Sequence, residues 1–194
     1  MNDKNFKVIM TVTVVAIIAV IGIGFAAFST ELKINGKGTV KASSWKIRFD
    51  NISAASITGT ATEVTPPTLS TNDTHIENYN VTFTTPGDSI SYTFDVKNEG
   101  TFDAKISSIV IGTPSCTGTG DNATQDANNV CKNLTYTLTY DDGSPIAQND
   151  TLTASQTKSL KLTLTYNAAV TASELPSNDV AISDLDATIV YSQD

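Results

Sequence analysis

The residues of this chain that could do chemistry are few and far apart. His75 is the only histidine among 194 residues. A Ser-His-Asp arrangement needs a nucleophile and an orienting carboxylate around that imidazole, whereas Thr74 and Glu77 are merely its neighbours in a polar stretch. His75 is therefore expected on the surface. A zinc hydrolase needs several ligands at close spacing, and the chain has no HExxH run and no cysteine cluster. Gly118-Thr119-Gly120 lacks the Lys-Ser/Thr that follows a phosphate-cradling loop. Asp141-Asp142 precedes Gly143, as a tight turn asks, and too few oxygens lie nearby for calcium. Asp184 and Asp186 form a looser pair, and nothing marks two distant carboxylates as a glycosidase couple. The expectation is a non-enzyme, with no catalytic, metal-binding or cofactor-binding residues.

Two other patterns are weak. Asn51, Asn72, Asn80, Asn122, Asn133 and Asn149 each begin an Asn-x-Ser/Thr acceptor, which a chain rich in Asn and Thr also makes by chance. Leu175-Pro176-Ser177-Asn178 opens like a sortase signal but lacks Thr-Gly, and neither a hydrophobic span nor a basic tail follows. The two cysteines carry more. Cys116 and Cys131 are the only pair in a chain that reads as exported, so one disulfide is expected. It would close a loop of about 15 residues and contribute on the order of 3 kcal/mol. The intervening TGTGDNATQDANNV is polar and is expected to be an irregular loop held by that bond.

Export is read from the N-terminus. Lys4 and Lys7 precede a run without charge, Val8 to Phe28, and Glu31 follows it. As a helix that run spans roughly 31 Å, enough for a hydrocarbon core of about 30 Å, and the flanking charges keep the N-terminus inside. Gly24-Phe25-Ala26 and Ala27-Phe28-Ser29 both offer small residues for a signal peptidase, but the run exceeds a usual signal core. A cleaved signal and a retained membrane anchor both stand. Residues 1–29 are thus a signal or anchor, and 30–194 one extracellular domain. Removing Lys4, Lys7 and Asp3 from the totals of 12 basic and 20 acidic residues leaves 10 and 19, a net charge of −9. That charge excludes nucleic acid and anionic headgroups as partners.

What positions these residues is a set of strands. Ile90, Tyr92, Phe94 and Val96 alternate with polar residues, as do Leu134, Tyr136, Leu138 and Tyr140, and Leu160, Leu162, Leu164 and Tyr166. A period of two is the mark of half-buried strands. Weaker candidates are 39–42, 45–49, 60–64, 79–83, 104–111 and 188–191. Turn residues separate them at Asn35-Gly36, Pro86-Gly87, Asn98-Glu99-Gly100 and Asp141-Asp142-Gly143. Trp45, Phe49, Phe83, Tyr92 and Phe94 are the expected core aromatics. The only helical signal beyond the leader is a turn at 171–175, with Thr171 and Glu174 as a capping box and Pro176 as its stop. The fold class expected is all-β: a two-sheet antiparallel sandwich, jelly-roll or immunoglobulin-like, preceded by one hydrophobic helix.

The apolar leader ending in GFAAFST, the lead-in ELKINGKGTV and the unit SISYTFDVKNEGTFDAKI together resemble the TasA/camelysin family of exported Gram-positive proteins. The resemblance covers most of residues 18–194 in organisation, and the disulfide loop departs from it. It implies extracellular fibres of a biofilm matrix, and for some members metallopeptidase activity, which would show as zinc retention and chelator-sensitive proteolysis. The single His supports the fibre better than the peptidase. A physical route follows: cleavage frees a strand-like arm carrying Leu32, Ile34 and Val40, which adds to a sheet edge of the next subunit and propagates head to tail. The alternative is a membrane-tethered monomeric module recognising glycan or protein through its loops.

Overall fold

Long alternating runs need partners on both sides, and the chain supplies them. The computed structural model describes residues 3–27, 33 and 35–194, with side chains of the first helix described over 4–17. The chain divides into two units, Met1–Lys41 and Ala42–Asp194.

In the first unit, α1 covers Asp3–Ala27. Val8, Ile9, Met10, Val12, Val14, Val15 and Ile17 are all exposed on it. Among the described residues no helix is long and apolar enough to cross a membrane; Phe28, the end of the expected span, lies outside them. After α1, residues 35–41 form no regular structure and are exposed. The strand expected at 39–42 is not formed. Thr39, Lys41 and Ala42 offer no large apolar side chain to bury there, and Val40 is 98 % exposed.

The second unit is β throughout, apart from one helix and one 3-10 turn. Its strands are β1 (Ile47–Asp50), β2 (Ser56–Thr58), β3 (Thr62–Thr65), β4 (Thr68–Leu69), β5 (Ile76–Glu77), β6 (Asn80–Thr82), β7 (Ser89–Asn98), β8 (Ala104–Ile111) and β9 (Ser115–Gly118). Helix α2 (Ala123–Lys132) is followed by β10 (Leu134–Tyr140), β11 (Thr151–Leu152), β12 (Thr157–Tyr166), β13 (Val180–Ser183) and β14 (Ala187–Gln193). The largest sheet runs β1-β7-β12-β10, with β2 beside β1 on β7. A second sheet runs β11-β8-β14, and β9 with β13, β3 with β6 and β4 with β5 form pairs. Every pairing is antiparallel.

The central strands β7 and β12 have ten residues each, roughly 34 Å, and bridge two apolar clusters. Phe94, Val96, Leu138 and Leu160 of the large sheet meet Ala104 and Leu152 of the second. Ile90, Tyr92 and Leu164 meet Val81 and Phe83 beside the β3–β6 pair. Tyr92 and Phe94 are buried and Phe49 and Phe83 half-buried, but Trp45 is 46 % exposed. Trp45 comes before β1 begins, so no sheet face turns it inward. Gly143 takes φ +85° in the turn after β10, and Asp142 Oδ1 accepts from the Ser144 amide and hydroxyl. The Asp pair serves the turn.

The disulfide loop is more ordered than its composition suggests. It holds β9 and α2, and α2 buries Ala127 and Val130 beside two polar residues, Asp126 and Asn129. A helix whose inner face is half polar hides its 3.6-residue period. The 3-10 turn at Ala172–Glu174 does carry the expected Thr171–Glu174 capping box, and Lys132 with Thr171 holds the Glu174 carboxyl down to about 2.

Candidate functional site

Two open clefts mark the Ala42–Asp194 unit. The first is a seam between an edge of each larger sheet. β1 pairs only with β7, and β14 only with β8. Between them Ile47, Phe49, Val96, Ile189, Val190 and Tyr191, with Trp45 and Arg48, line a space of about 260 Å³. Each arises from an ordinary strand rule. Alternation turns Ile189 and Tyr191 toward the core, and a register shift between Val190 and Tyr191 re-aims β14. Val190 is left 45 % exposed.

One end of the seam is braced by charge. Arg48 reaches Glu99 at 2.9 Å, Asp50 at 3.1 Å and Asp73 at 3.7 Å, and Lys46 and Lys97 also meet Glu99. The Arg48 contact, then Lys46 and Lys97, hold the Glu99 carboxyl well below its usual range. Phe49 N donates to Asp73 O, so the turn before His75 covers part of the β1 edge. The outer edge of β14 meets no strand among the described residues. His75 itself is exposed, its Nδ1 3.0 Å from Thr74 Oγ1.

The second cleft, about 700 Å³, lies between residues 79–84 and 175–182 over Val130, Leu134, Tyr166 and Leu185. Its walls are tied down by carboxylates. Asp126, buried on α2, accepts from the Ser177 amide and hydroxyl and the Asn178 amide. Asp88, fully buried, accepts from the amides of Thr60, Thr84 and Thr85 at 2.6, 2.7 and 2.9 Å. Burial pushes the Asp88 carboxyl up, but the Thr85, Thr60 and Thr84 amides override it and hold it far below the carboxylate range. Tyr79 and Tyr136 both donate to Leu185 O beside this cleft.

Cys116 of β9 and Cys131 of α2 are bonded, Cα to Cα 5.7 Å, so the disulfide joins the helix that floors the second cleft to the strand beside β13. Of the expected donor residues, Leu32 and Ile34 lie outside the described residues, and Val40 is exposed in irregular chain. Among the described residues no three His, Cys, Asp or Glu side chains converge as a metal site would require. Neither cleft was legible beforehand, because each gathers residues from strands far apart in sequence. Compared with known protein families, curated proteins and solved structures, the chain matches none.

Proposed function

We propose that this chain is a non-enzymatic, exported structural protein of the cell surface or matrix that assembles with its own copies by strand addition. Its β-rich unit is read as a two-sheet sandwich of jelly-roll or immunoglobulin-like kind, since the two larger sheets share one core. Export draws support from α1. Its described apolar side chains are exposed, and the stretch from Val8 to Phe28 carries no charge, as an export signal requires. A disulfide also suits an oxidising exterior.

The observation that carries the reading is the seam. A space of about 260 Å³ is small for a ligand pocket, which usually runs to about 300–1,000 Å³. It does suit a row of side chains from a strand laid between β1 and β14. The arm before it offers alternating Leu32 and Ile34, then Val40, and with Lys33, Lys37 and Lys41 against Glu31 it is basic beside an acidic domain. Strand addition of this kind takes affinity from main-chain bonds and register from alternate side chains. Electron microscopy of the secreted protein with and without residues 30–40 tests the reading. Filaments should require the arm; filaments formed equally well without it would overturn the proposal.

The larger cleft favours a second reading, a tethered monomeric module binding glycan or protein, because about 700 Å³ falls within the range of ligand sites. Mass spectrometry of the secreted N-terminus separates the two. A chain beginning near residue 27 or 30 supports assembly, and an intact α1 supports the tethered module.

A further inference from the structure

Asn35-Gly36 has the composition of a turn, yet it makes none: both residues are exposed and without regular structure. A side chain added at Gly36 would meet nothing within 4 Å. It is the only Asn-Gly in the chain, every other asparagine being followed by a residue that carries a Cβ. We propose that Asn35-Gly36 is a self-modification site, at which the amide converts spontaneously to aspartate and isoaspartate.

The reaction needs only water. The Gly36 nitrogen attacks Asn35 Cγ, the new N–Cγ bond forms, and the Cγ–Nδ2 bond breaks to release ammonia, which carries away the Gly36 proton. Water then opens the five-membered imide at one carbonyl or the other. Opening at the main-chain carbonyl leaves the former side chain in the backbone as isoaspartate. Two things control the closure: backbone freedom and lack of crowding at the attacking nitrogen. Glycine supplies both, and so does the open surrounding of Gly36.

At two other positions the same chemistry is blocked. Asn98 is fully buried, with Nδ2 donating to Phe102 O and Leu152 O and Oδ1 accepting from Gly100 N. In Asp142-Gly143, the equivalent aspartyl pair, the carboxylate is engaged by Ser144 and Gly143 N donates to Tyr140 O at 2.9 Å. Neither can swing into position.

The consequence rests on the strand-addition reading, because Asn35 lies inside the proposed donor arm. Lys33, Lys37 and Lys41 against Glu31 give the arm +2, and conversion lowers it to +1. Isoaspartate also lengthens the main chain between Ile34 and Val40, so the residues on either side no longer share one period-two register. Modification therefore ages the arm from donor to non-donor.

The secreted chain, held at neutral pH and sampled over days, is digested and mapped by mass spectrometry with isoaspartate-sensitive fragmentation. Conversion should be confined to Asn35, run within about threefold of a synthetic peptide spanning 31–41, as an unprotected segment must, and vanish in Asn35→Gln. An unchanged Asn35 in the protein, while the peptide reacts, would overturn the proposal. Fresh and aged samples are then compared for filaments. Loss of assembly on ageing supports the link to the arm, and equal assembly by isoaspartate-bearing protein overturns that link. Filaments absent from fresh protein would refute the assembly reading and leave the mass result to judge the site by itself.

Discussion

Replacing Asp88 with asparagine tests how the loops around β7 are held. The carboxylate takes the Thr60 amide on Oδ1 and the Thr84 and Thr85 amides on Oδ2, with the Thr60 hydroxyl at 3.1 Å from both oxygens. An asparagine keeps one acceptor oxygen. Turned to serve Thr84 and Thr85, it points an NH2 at the Thr60 amide, stranding a donor beside a fully buried group. Losing one charge-assisted bond and leaving that donor unpaired costs about 3 kcal/mol, or roughly 6–12 °C in Tm for a domain of this size. The sign with pH is fixed. The folded carboxyl lies far below its usual value, so the unfolded chain takes up the proton first. The stabilisation is complete above the unfolded value of about 3.9 and is lost as pH falls through the folded one. Urea unfolding at neutral pH and near pH 3, followed by circular dichroism, should show the gap between wild type and Asp88→Asn narrowing in acid. A variant within about 0.5 kcal/mol of wild type at pH 7, the scale of an inconsequential surface change, would refute the reasoning.

Other outcomes follow from the same structure. Cys116→Ala with Cys131→Ala should lower unfolding free energy by about 3 kcal/mol, read by denaturant titration against the oxidised protein. Asp126→Ala frees the Ser177 and Asn178 amides, which should cost about 2 kcal/mol and speed amide exchange across 177–182 relative to β7. Val190→Lys, at a half-exposed edge position, should abolish filaments while leaving Tm within a few degrees of wild type.

How much was legible beforehand depends on how each residue is buried. β7, β10 and β12 announced themselves because every second residue is large and apolar, and those residues form the core: Ile90, Tyr92, Phe94, Val96, Leu160 and Leu164 are buried. The expected bounds of β8 coincide with Ala104–Ile111. The Thr171–Glu174 box was readable because capping is local chemistry. Helix α2 was not, since its inner face carries Asn129 and Asp126, and the burial of Asp126 is compensated by Ser177 and Asn178 far along the chain. The short strands β9 and β13 gave no period to count. Trp45 was misplaced because an aromatic beside a strand reads as core until the strand's first residue is known. The seam was not visible either: Ile47, Val96 and Val190 come together through strand order, which periodicity does not encode.

The central claim is that the arm of one copy becomes a strand of the next. Amide hydrogen exchange on assembled and dispersed protein tests it most directly. The account predicts that residues 30–41 and 187–193 gain protection together on assembly, while β7 and β12 stay as slow as before. Assemblies whose arm exchanges as fast as a free peptide would contradict it.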